Sequence, residues 1–465
     1  MAQCTVFVST GATMGCRLSR LLIVLASALL VACGRIEPPE KSGKLVIGIL
    51  AGPTTYQIDA DSGFEHDLLE NFAASLKLKT RYVVVKERSA LFDKLRAGKI
   101  HLAAGSAIDS NKNFIFSAPV RESKQVLVGN SEDMSIYDDP FDLSGRSVET
   151  TLDSAQTTTL KKLAGTPPSF TIVEIARKSE RDLLQRVAEG KSQLAATGML
   201  NYSLALNSFP DLSIVHELPD PIGIGWAFKP EDAPLLQKAD EFIATFRKNG
   251  SWAKLYDRYF GLTQRIKSNE IVRFIKDIRT LLPHYREQFQ AAQATTGIDW
   301  RLIAALAYQE SKWDPLATSF TNVRGMMMLT GETADRMGVN NRLDPDQSIR
   351  AGARYLAILR DELPDEIKEP DRTWLALAAY NLGMGHLNGA RTFARQMKRD
   401  STSWYDMKKV LPLMSRPEYY SHLKSGPARG GEAVILVENI RNYYDILCRS
   451  EPAWQPTPKL SLSLR

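Results

Sequence analysis

The feature that most constrains the fold is a change of residue pattern near the middle of the chain. Up to residue 262, β-branched and apolar runs such as Lys44–Leu50 alternate with amphipathic stretches, which is typical of an α/β sheet with mostly parallel strands. From residue 271 onward, apolar positions recur every three or four residues, which predicts helices. We therefore predict a multidomain protein with an α/β domain at 44–262, a polar linker at 263–270 and an all-α domain at 271–449.

One predicted helix of the all-α domain carries a carboxylate where an apolar side chain is expected. Asp299 is a suitable N-cap, and Pro315 ends the helical run. Between them, Leu302, Leu306 and Glu310 fall on one stripe at helical spacing. Burial of a carboxyl group raises its pKa, so Glu310 is a candidate proton donor near neutral pH. The alternative is a glutamate at a helix end that turns into solvent.

The N-terminus has the pattern of a targeting segment. Two arginines precede an apolar run that is too short to span a bilayer, which predicts a signal peptide at 1–32. The sequence Leu30-Val31-Ala32-Cys33-Gly34 resembles a bacterial lipobox, which implies an acylated Cys33 and a lipidated tether at 33–43. Glycine after the cysteine resembles lipoproteins of the outer membrane, so we expect attachment to its periplasmic side. A plain signal peptide with an incidental cysteine, and a start at Met14, remain alternatives.

Composition argues against several other classes of protein. The formal charge of +6 is mild for 465 residues, and no Lys/Arg run indicates nucleic-acid binding. The six histidines are scattered and no CxxC or HExxH motif occurs, so we predict no metal and no cofactor. Cys448 is the only cysteine beyond Cys33, which leaves no intramolecular disulfide in the mature chain. Residues 450–465 contain three prolines and are predicted to be a disordered tail.

Three motifs of the α/β domain resemble the family 3 solute-binding proteins. They are Gly63-Phe64-x-x-Asp67-Leu68, Phe116-Ser117-x-Pro119 and Gly250-Ser251-Trp252-x-x-Leu255-Tyr256-x-x-Tyr259-Phe260. The resemblance implies a two-lobed, periplasmic-binding-protein-like domain over 44–262, with crossovers between the lobes near Val128 and Glu217. It also implies a non-catalytic domain that binds a small ligand and is able to regulate the all-α domain.

Two positions depart from that family. Ser110 stands where the family usually has an arginine for the ligand carboxylate, and Gly198 stands where it has an aspartate for the ligand amine. Zwitterion recognition needs such a pair. We therefore expect a wall-derived peptide or another small ligand rather than a free amino acid, or a scaffold that regulates without a ligand.

Three blocks of the all-α domain resemble the soluble-lytic-transglycosylase catalytic domain of family 1. They are Glu310-Ser311-x-Trp313-Asp314-Pro315-x-Ala317-x-Ser319, Gly325-Met326-Met327-x-Leu329-x-x-x-Thr333-Ala334 and Ala378-Ala379-Tyr380-Asn381-x-Gly383. The resemblance implies a lysozyme-like domain that cuts the β-1,4 bond between N-acetylmuramic acid and N-acetylglucosamine in peptidoglycan glycan strands. Glu310 would act first as acid and then as base, so that a 1,6-anhydro end forms and the enzyme is formally a lyase.

Supporting roles follow the same resemblance by position. The supporting catalytic or substrate-binding residues that it implies are Ser311, Met327, Tyr380 and Asn381. Each also has a purely structural interpretation, as a helix-end or core residue. Met328 stands where the family often has glutamine and Leu436 where many members have tyrosine, so the tuning of Glu310 is an open question. Asp314, before a proline, is expected to shape a turn.

Three hypotheses therefore stand at this point. The first is a membrane-attached lytic transglycosylase with a ligand-sensing domain. The second is a muramidase on the same fold, which releases reducing ends by hydrolysis. The third is a non-catalytic wall- or solute-binding lipoprotein. The sequence does not decide the ligand, endo- against exo-cleavage, or the oligomeric state.

Overall fold

The computed structural model of the chain describes most of the residues of both predicted domains. The described residues are 36–58, 61–108, 113–132, 143–165, 169–261, 268–421 and 426–455. The predicted signal peptide, Cys33 and Ser110 lie outside these residues, as do 262–267 of the connection and 456–465 of the tail. No helix in the described part of the chain is long and apolar enough to cross a membrane.

The N-terminal domain alternates strands and helices. Its elements are α1 Pro39–Ser42, β1 Lys44–Leu50, α2 Phe64–Ser75, β2 Lys79–Val85, α3 Arg88–Arg96, β3 Leu102–Ala107, β4 Ile115–Phe116, β5 Arg121–Ser123, β6 Gln125–Asn130, β7 Ser147–Thr151, α4 Ala155–Ala164, β8 Thr171–Ile175, α5 Glu180–Ala188, β9 Leu194–Gly198, α6 Met199–Ala205, β10 Leu212–Glu217, β11 Ile222–Phe228, α7 Ala233–Lys248 and α8 Ser251–Phe260.

These elements form two lobes, each built on its own sheet. The first sheet has the order β2-β1-β3-β11-β4, with β5 also on β11, and the second has the order β10-β6-β9-β7-β8. The chain leaves the first sheet between Ser123 and Gln125 and returns between Glu217 and Ile222. The predicted crossover near Glu217 is confirmed to within a few residues, and the other lies slightly before Val128. In each lobe the parallel pairs β1–β2 and β7–β8 lie beside helices, as the alternating pattern predicts.

The C-terminal domain is built mainly of helices in the residues described. Its helices are α9 Ser268–Thr280, α10 Arg286–Thr296, α11 Trp300–Ser311, α12 Gly331–Met337, α13 Pro345–Asp361, α14 Asp371–Leu382, α15 Met384–Gln396, α16 Trp404–Val410, α17 Pro417–Tyr420 and α18 Gly430–Ser450. The nearly all-apolar α11 is the central helix, buried from Leu302 to Tyr308. The long helix α18 packs along it, and both belong to one continuous core.

Helix α18 also takes part in the contact between the two domains, together with the ion pairs Lys254–Asp400 and Arg258–Asp371. Glu438 of α18 is fully buried and accepts from Arg441 at 2.7 Å and from the Trp404 indole at 2.6 Å. Lys408 lies between Glu438, at 3.5 Å, and Asp257 of α8, at 2.7 Å. Arg441 also donates to the backbone carbonyl of Asp257. A buried ionic network therefore joins α8 of the first lobe to the core of the C-terminal domain.

Three predicted boundaries differ from the structure, two of them because long-range contacts order the adjoining segment. In the predicted tether, the Ile36 N–H donates to Gly98 O at 3.0 Å and the Glu37 carbonyl lies 2.8 Å from the His101 ring, so residues 36–43 dock on the first lobe. In the predicted tail, α18 continues to Ser450, Arg286 pairs with Glu451, and Trp454 packs on the core. The predicted linker ends earlier, because α9 begins at Ser268.

Candidate active site

Helix α11 has a side-chain N-cap at its start and a sharp left-handed turn at its end. The Asp299 carboxylate accepts from the Arg301 N–H at 2.9 Å, which confirms the predicted N-cap. The helix ends at Ser311 because Lys312 and Trp313 adopt left-handed backbone conformations, with φ of 56° and 59°. The Trp313 indole donates back to the Ala304 carbonyl at 2.8 Å, so the sharp turn is held by the core of the domain. The chain is thereby turned immediately after Glu310.

The Glu310 carboxyl group lies in an apolar environment on the last turn of α11. Burial alone raises its pKa from 4.5 to about 8. In the described part of the chain no cation pairs with it, and Tyr380 is near enough for the Glu310 charge to contribute, after burial, to the raised pKa of the phenol. Burial thus favours the protonated carboxyl group near neutral pH while the side chain stays partly exposed, and a general acid needs both properties.

Three contacts fix the backbone segment Met326–Met327 opposite this glutamate. The Ser311 hydroxyl donates to Met326 O at 2.8 Å, and the Tyr380 hydroxyl donates to Met327 O at 2.9 Å. The Met327 N–H donates to the hydroxyl of the buried Ser348 on α13, at 3.2 Å. The hydroxyls of Ser311 and Tyr380 thus bind this segment, and neither hydrogen-bonds to the Glu310 carboxylate.

The Met327 side chain lies beneath the surface and not on it. It is fully buried, and its Cβ, Cγ and Cε atoms each lie 2.7 Å from where a Cβ on Gly352 would stand. The predicted sugar contact by Met327 is therefore not supported by its position, since a buried side chain cannot touch a ligand unless it moves. Its neighbour Met328 is partly exposed, with φ of 46°. Asn381 is exposed at the end of α14, where a ligand can reach it.

Other carboxylates near Glu310 in sequence have different surroundings. Asp314 is exposed, and its carboxylate accepts from the Leu316 N–H at 2.9 Å, which is the turn-shaping contact expected before a proline. Glu332 and Asp335 are exposed on α12. Leu436, where many relatives of the catalytic family have tyrosine, is buried in the core. Glu310 is thus distinguished from these three carboxylates by its partial burial.

Sequence reasoning missed the polar groups of the cleft between the two lobes. Arg121 is buried there with Nη2 donating to Thr54 Oγ1 at 3.2 Å and with Nε unpartnered. Opposite it, the Glu180 carboxylate accepts from Thr197, the Gly198 N–H and Asn201 at 2.6 to 2.9 Å. The Glu180 carboxylate of α5 thus lies beside Gly198, the position at which the solute-binding family has an aspartate. No local pattern marks these residues, because the fold brings them together from separate strands and helices.

Comparison with known proteins agrees with both halves of the architecture. Residues 45–262 match the bacterial extracellular solute-binding proteins, family 3, and residues 287–403 match the Transglycosylase SLT domain. Among solved structures, an amino acid ABC transporter substrate-binding protein from Streptococcus pneumoniae, bound to L-arginine, is 21% identical over 49% of this chain and 98% of that one, with a TM-score of 0.44. The class is thus a solute-binding domain joined to a helical SLT domain, which confirms the predicted fold class.

Full-length relatives identify the family within that class. The membrane-bound lytic murein transglycosylases F of Nitrosospira multiformis and Thiobacillus denitrificans are each 40% identical to this chain, over 94% and 95% of it and 94% of their own lengths. The protein of the same name from Methylobacillus flagellatus is 39% identical over 94% of this chain and 95% of its own length. The chain belongs to the membrane-bound lytic murein transglycosylase F family.

Proposed function

We propose that the chain is a lytic transglycosylase that cleaves the β-1,4 bond between N-acetylmuramic acid and N-acetylglucosamine in murein. The observation that carries this proposal is the half-buried carboxyl group of Glu310 on the last turn of α11, whose pKa burial raises to about 8. The family and its SLT domain support the same substrate class. A protonated carboxyl on a fixed helix end is the group that glycosidic cleavage requires.

Glu310 performs two proton transfers in the proposed reaction. It first donates its proton to the glycosidic oxygen as the bond to the muramic C1 breaks, which leaves an oxocarbenium-like centre. The resulting carboxylate then accepts the proton of the muramic C6 hydroxyl as that oxygen bonds to C1. The nucleophile belongs to the substrate, so its effective concentration is high and no second carboxylate is needed to activate water. The products are a 1,6-anhydromuramic end and a free N-acetylglucosamine hydroxyl.

Product masses test the proposal directly. Digestion of murein by the full chain is expected to give fragments that are one water lighter than hydrolysis products, and Glu310→Gln is expected to give none. Glu332→Gln, which changes an exposed carboxylate of the same domain, serves as the matched control and retains activity. Products of full hydrolytic mass would instead establish a muramidase, and equal turnover by wild type and Glu310→Gln would remove the catalytic assignment.

We further propose that acylated Cys33 attaches the protein to the periplasmic side of the outer membrane. The lipobox pattern at residues 30–34 supports this placement, and relatives carry "membrane-bound" in their names. Fractionation of cells that express wild type and Cys33→Ala tests it. Wild type is expected in the outer-membrane fraction and the variant in the soluble periplasmic fraction, and an unchanged distribution would contradict the anchor.

The cleft between the lobes is proposed to bind a small ligand with both an anionic and a cationic group. Arg121 presents a positive group and Glu180 a negative group, in a cleft that is also lined by further charged side chains, among them Lys86 and Arg177, and by hydroxyl-bearing and apolar residues. A short wall-derived peptide has both charges at its termini. Titration calorimetry with a murein tripeptide is expected to show binding that Glu180→Gln weakens, while a tripeptide that binds wild type and variant equally would contradict the assignment.

We propose that this ligand acts on the catalytic domain through the network of Asp257, Lys408 and Glu438. Helix α18 carries Glu438 and packs on α11, so a displacement of α8 reaches the helix that holds Glu310. This coupling predicts that the tripeptide changes the rate at which the wild type cleaves murein, and that Asp257→Asn makes this change smaller. Turnover that does not respond to the peptide in the wild type would exclude the coupling.

A further inference from the structure

Two large apolar side chains stand out of the surface at one hairpin beside the active site. Phe320 is 98% exposed and Leu316 is 68% exposed, the highest values among the large apolar residues that the structure describes. Both belong to the segment 316–323, which we call the 316–323 hairpin. Scattered exposed apolar residues need no explanation, but two such residues on one short hairpin indicate a contact with another molecule.

The hairpin is ordered by its own polar contacts, although its aromatic ring packs on nothing. The Ser319 N–H donates to Val323 O at 3.0 Å, and the Val323 N–H donates to Ser319 Oγ at 3.2 Å. Arg342 donates to Asn322 O at 2.8 Å and so ties the tip to the body of the domain. The backbone that carries Phe320 is therefore held in place before any ligand arrives, which reduces the backbone entropy lost on binding.

The base of the hairpin is continuous with the active site. The Gly325 N–H donates to Ala317 O at 2.8 Å, and the next residue, Met326, accepts from Ser311, beside Glu310. The tip lies three residues beyond the Ala317–Gly325 contact, which corresponds to about 10 Å of extended chain. A polymer that crosses Glu310 and extends past the scissile bond is thus able to reach Phe320.

Polar residues adjoin Phe320 along the hairpin. Thr318, Thr321 and Asn322 carry hydroxyl and amide groups, which match the hydroxyl and acetamido edges of a pyranose, while an aromatic face matches its C–H face. An anionic bilayer would favour clustered Lys and Arg, and Arg324 is the only cation between Trp313 and Met328. We propose that Phe320 is a further substrate-binding residue, which stacks on a sugar of the glycan strand outside the bond being cut. This inference rests on the proposed function, because it assumes a murein strand at Glu310.

Binding to insoluble murein in the inactive Glu310→Gln background tests the proposal without any need for turnover. Removal of roughly 60 Å² of ring surface from water corresponds to about a tenfold change in affinity, so adding Phe320→Ala is expected to weaken cosedimentation about tenfold. Phe320→Trp is expected to restore it, and Phe320→Leu, which is apolar but has no ring, is not. Val272→Ala, at an exposed apolar position of α9, is the control and leaves binding unchanged.

In the active chain, Phe320→Ala is expected to raise KM for murein about tenfold with kcat unchanged, because a contact away from the reacting atoms binds ground and transition states alike. Equal murein binding with and without the ring would overturn the proposal, as would Phe320→Leu binding as well as wild type. So would a loss of binding to phosphatidylglycerol-containing vesicles with murein binding intact. If the active chain yields only hydrolytic products while Phe320→Ala still weakens sedimentation, the proposed reaction fails and the sugar contact stands.

Discussion

Replacing Glu310 by glutamine is expected to stabilise the catalytic domain as it abolishes activity, and the gain in stability should grow with pH. Burial raises the pKa of the folded carboxyl group from 4.5 to about 8, so the folded state keeps a proton that the unfolded state loses. A folded state that binds more protons than the unfolded state becomes less stable as pH rises. The contribution of Glu310 to stability is therefore complete below about pH 4.5 and is lost as the pH rises to about 8.

The magnitude is set by the size of the shift in pKa. Each unit corresponds to about 1.4 kcal/mol, so between about pH 5.5 and pH 8 a fully buried carboxyl would cost about 3 kcal/mol. Water screens the partly exposed Glu310, so we expect the difference to be about 2 kcal/mol. Glutamine has nearly the same shape and no titratable proton, so the free energy of unfolding of Glu310→Gln does not fall with pH through this side chain.

Urea unfolding of the full chain at both pH values, followed by tryptophan fluorescence, measures the effect. The free energy of unfolding of Glu310→Gln minus that of wild type should be about 2 kcal/mol larger at pH 8 than at pH 5.5. Glu332→Gln, at an exposed carboxylate, should show no such change. A constant difference between Glu310→Gln and wild type across this pH range would refute the reasoning, because it would place the pKa of Glu310 near its ordinary value.

The other predictions concern the same site. The kcat/KM of the wild type should be limited by the protonated fraction of Glu310 and should fall about tenfold per pH unit above about pH 8, which a pH–rate profile measures. Tyr380→Phe removes the donor to Met327 O and should cost about 1 kcal/mol of stability with a several-fold loss of kcat, measured by urea unfolding and murein turnover. Gly352→Ala places a methyl group 2.7 Å from three Met327 atoms and should cost about 1–3 kcal/mol, measured by urea unfolding, with Gly331→Ala, which has open space, as control.

The sequence predicted helix ends and turns correctly where contacts between residues close in sequence determine them. The N-cap at Asp299 and the turn at Asp314 depend on contacts within two residues, and both were predicted. The end of α11 was predicted as well, since Pro315 ends the helical run and the helix stops at Ser311. The left-handed turn at Lys312 and Trp313 is held by the indole contact with Ala304, a tertiary interaction that no local rule contains.

Contacts between distant residues account for what the sequence did not reveal. The sequence predicts that Met327 contacts a sugar, but its side chain packs against Gly352 of α13 and is buried in the core. The Glu180 carboxylate of helix α5 accepts from the backbone N–H of Gly198 at the end of strand β9. The docked segments 36–43 and 450–455 depend in the same way on His101 and Arg286, which lie far from them in sequence. Such pairings become visible only when the fold is known.

The shared ionic network means that the two halves of this protein are not separable parts. A catalytic fragment cut from the chain before residue 268 would keep Lys408 and Arg441 but lose Asp257, so their positive charges would face water across a newly opened surface. Measurements on that fragment would describe an altered molecule. Exchange of the solute-binding half between relatives should succeed only when α8 travels together with its partners on α16 and α18.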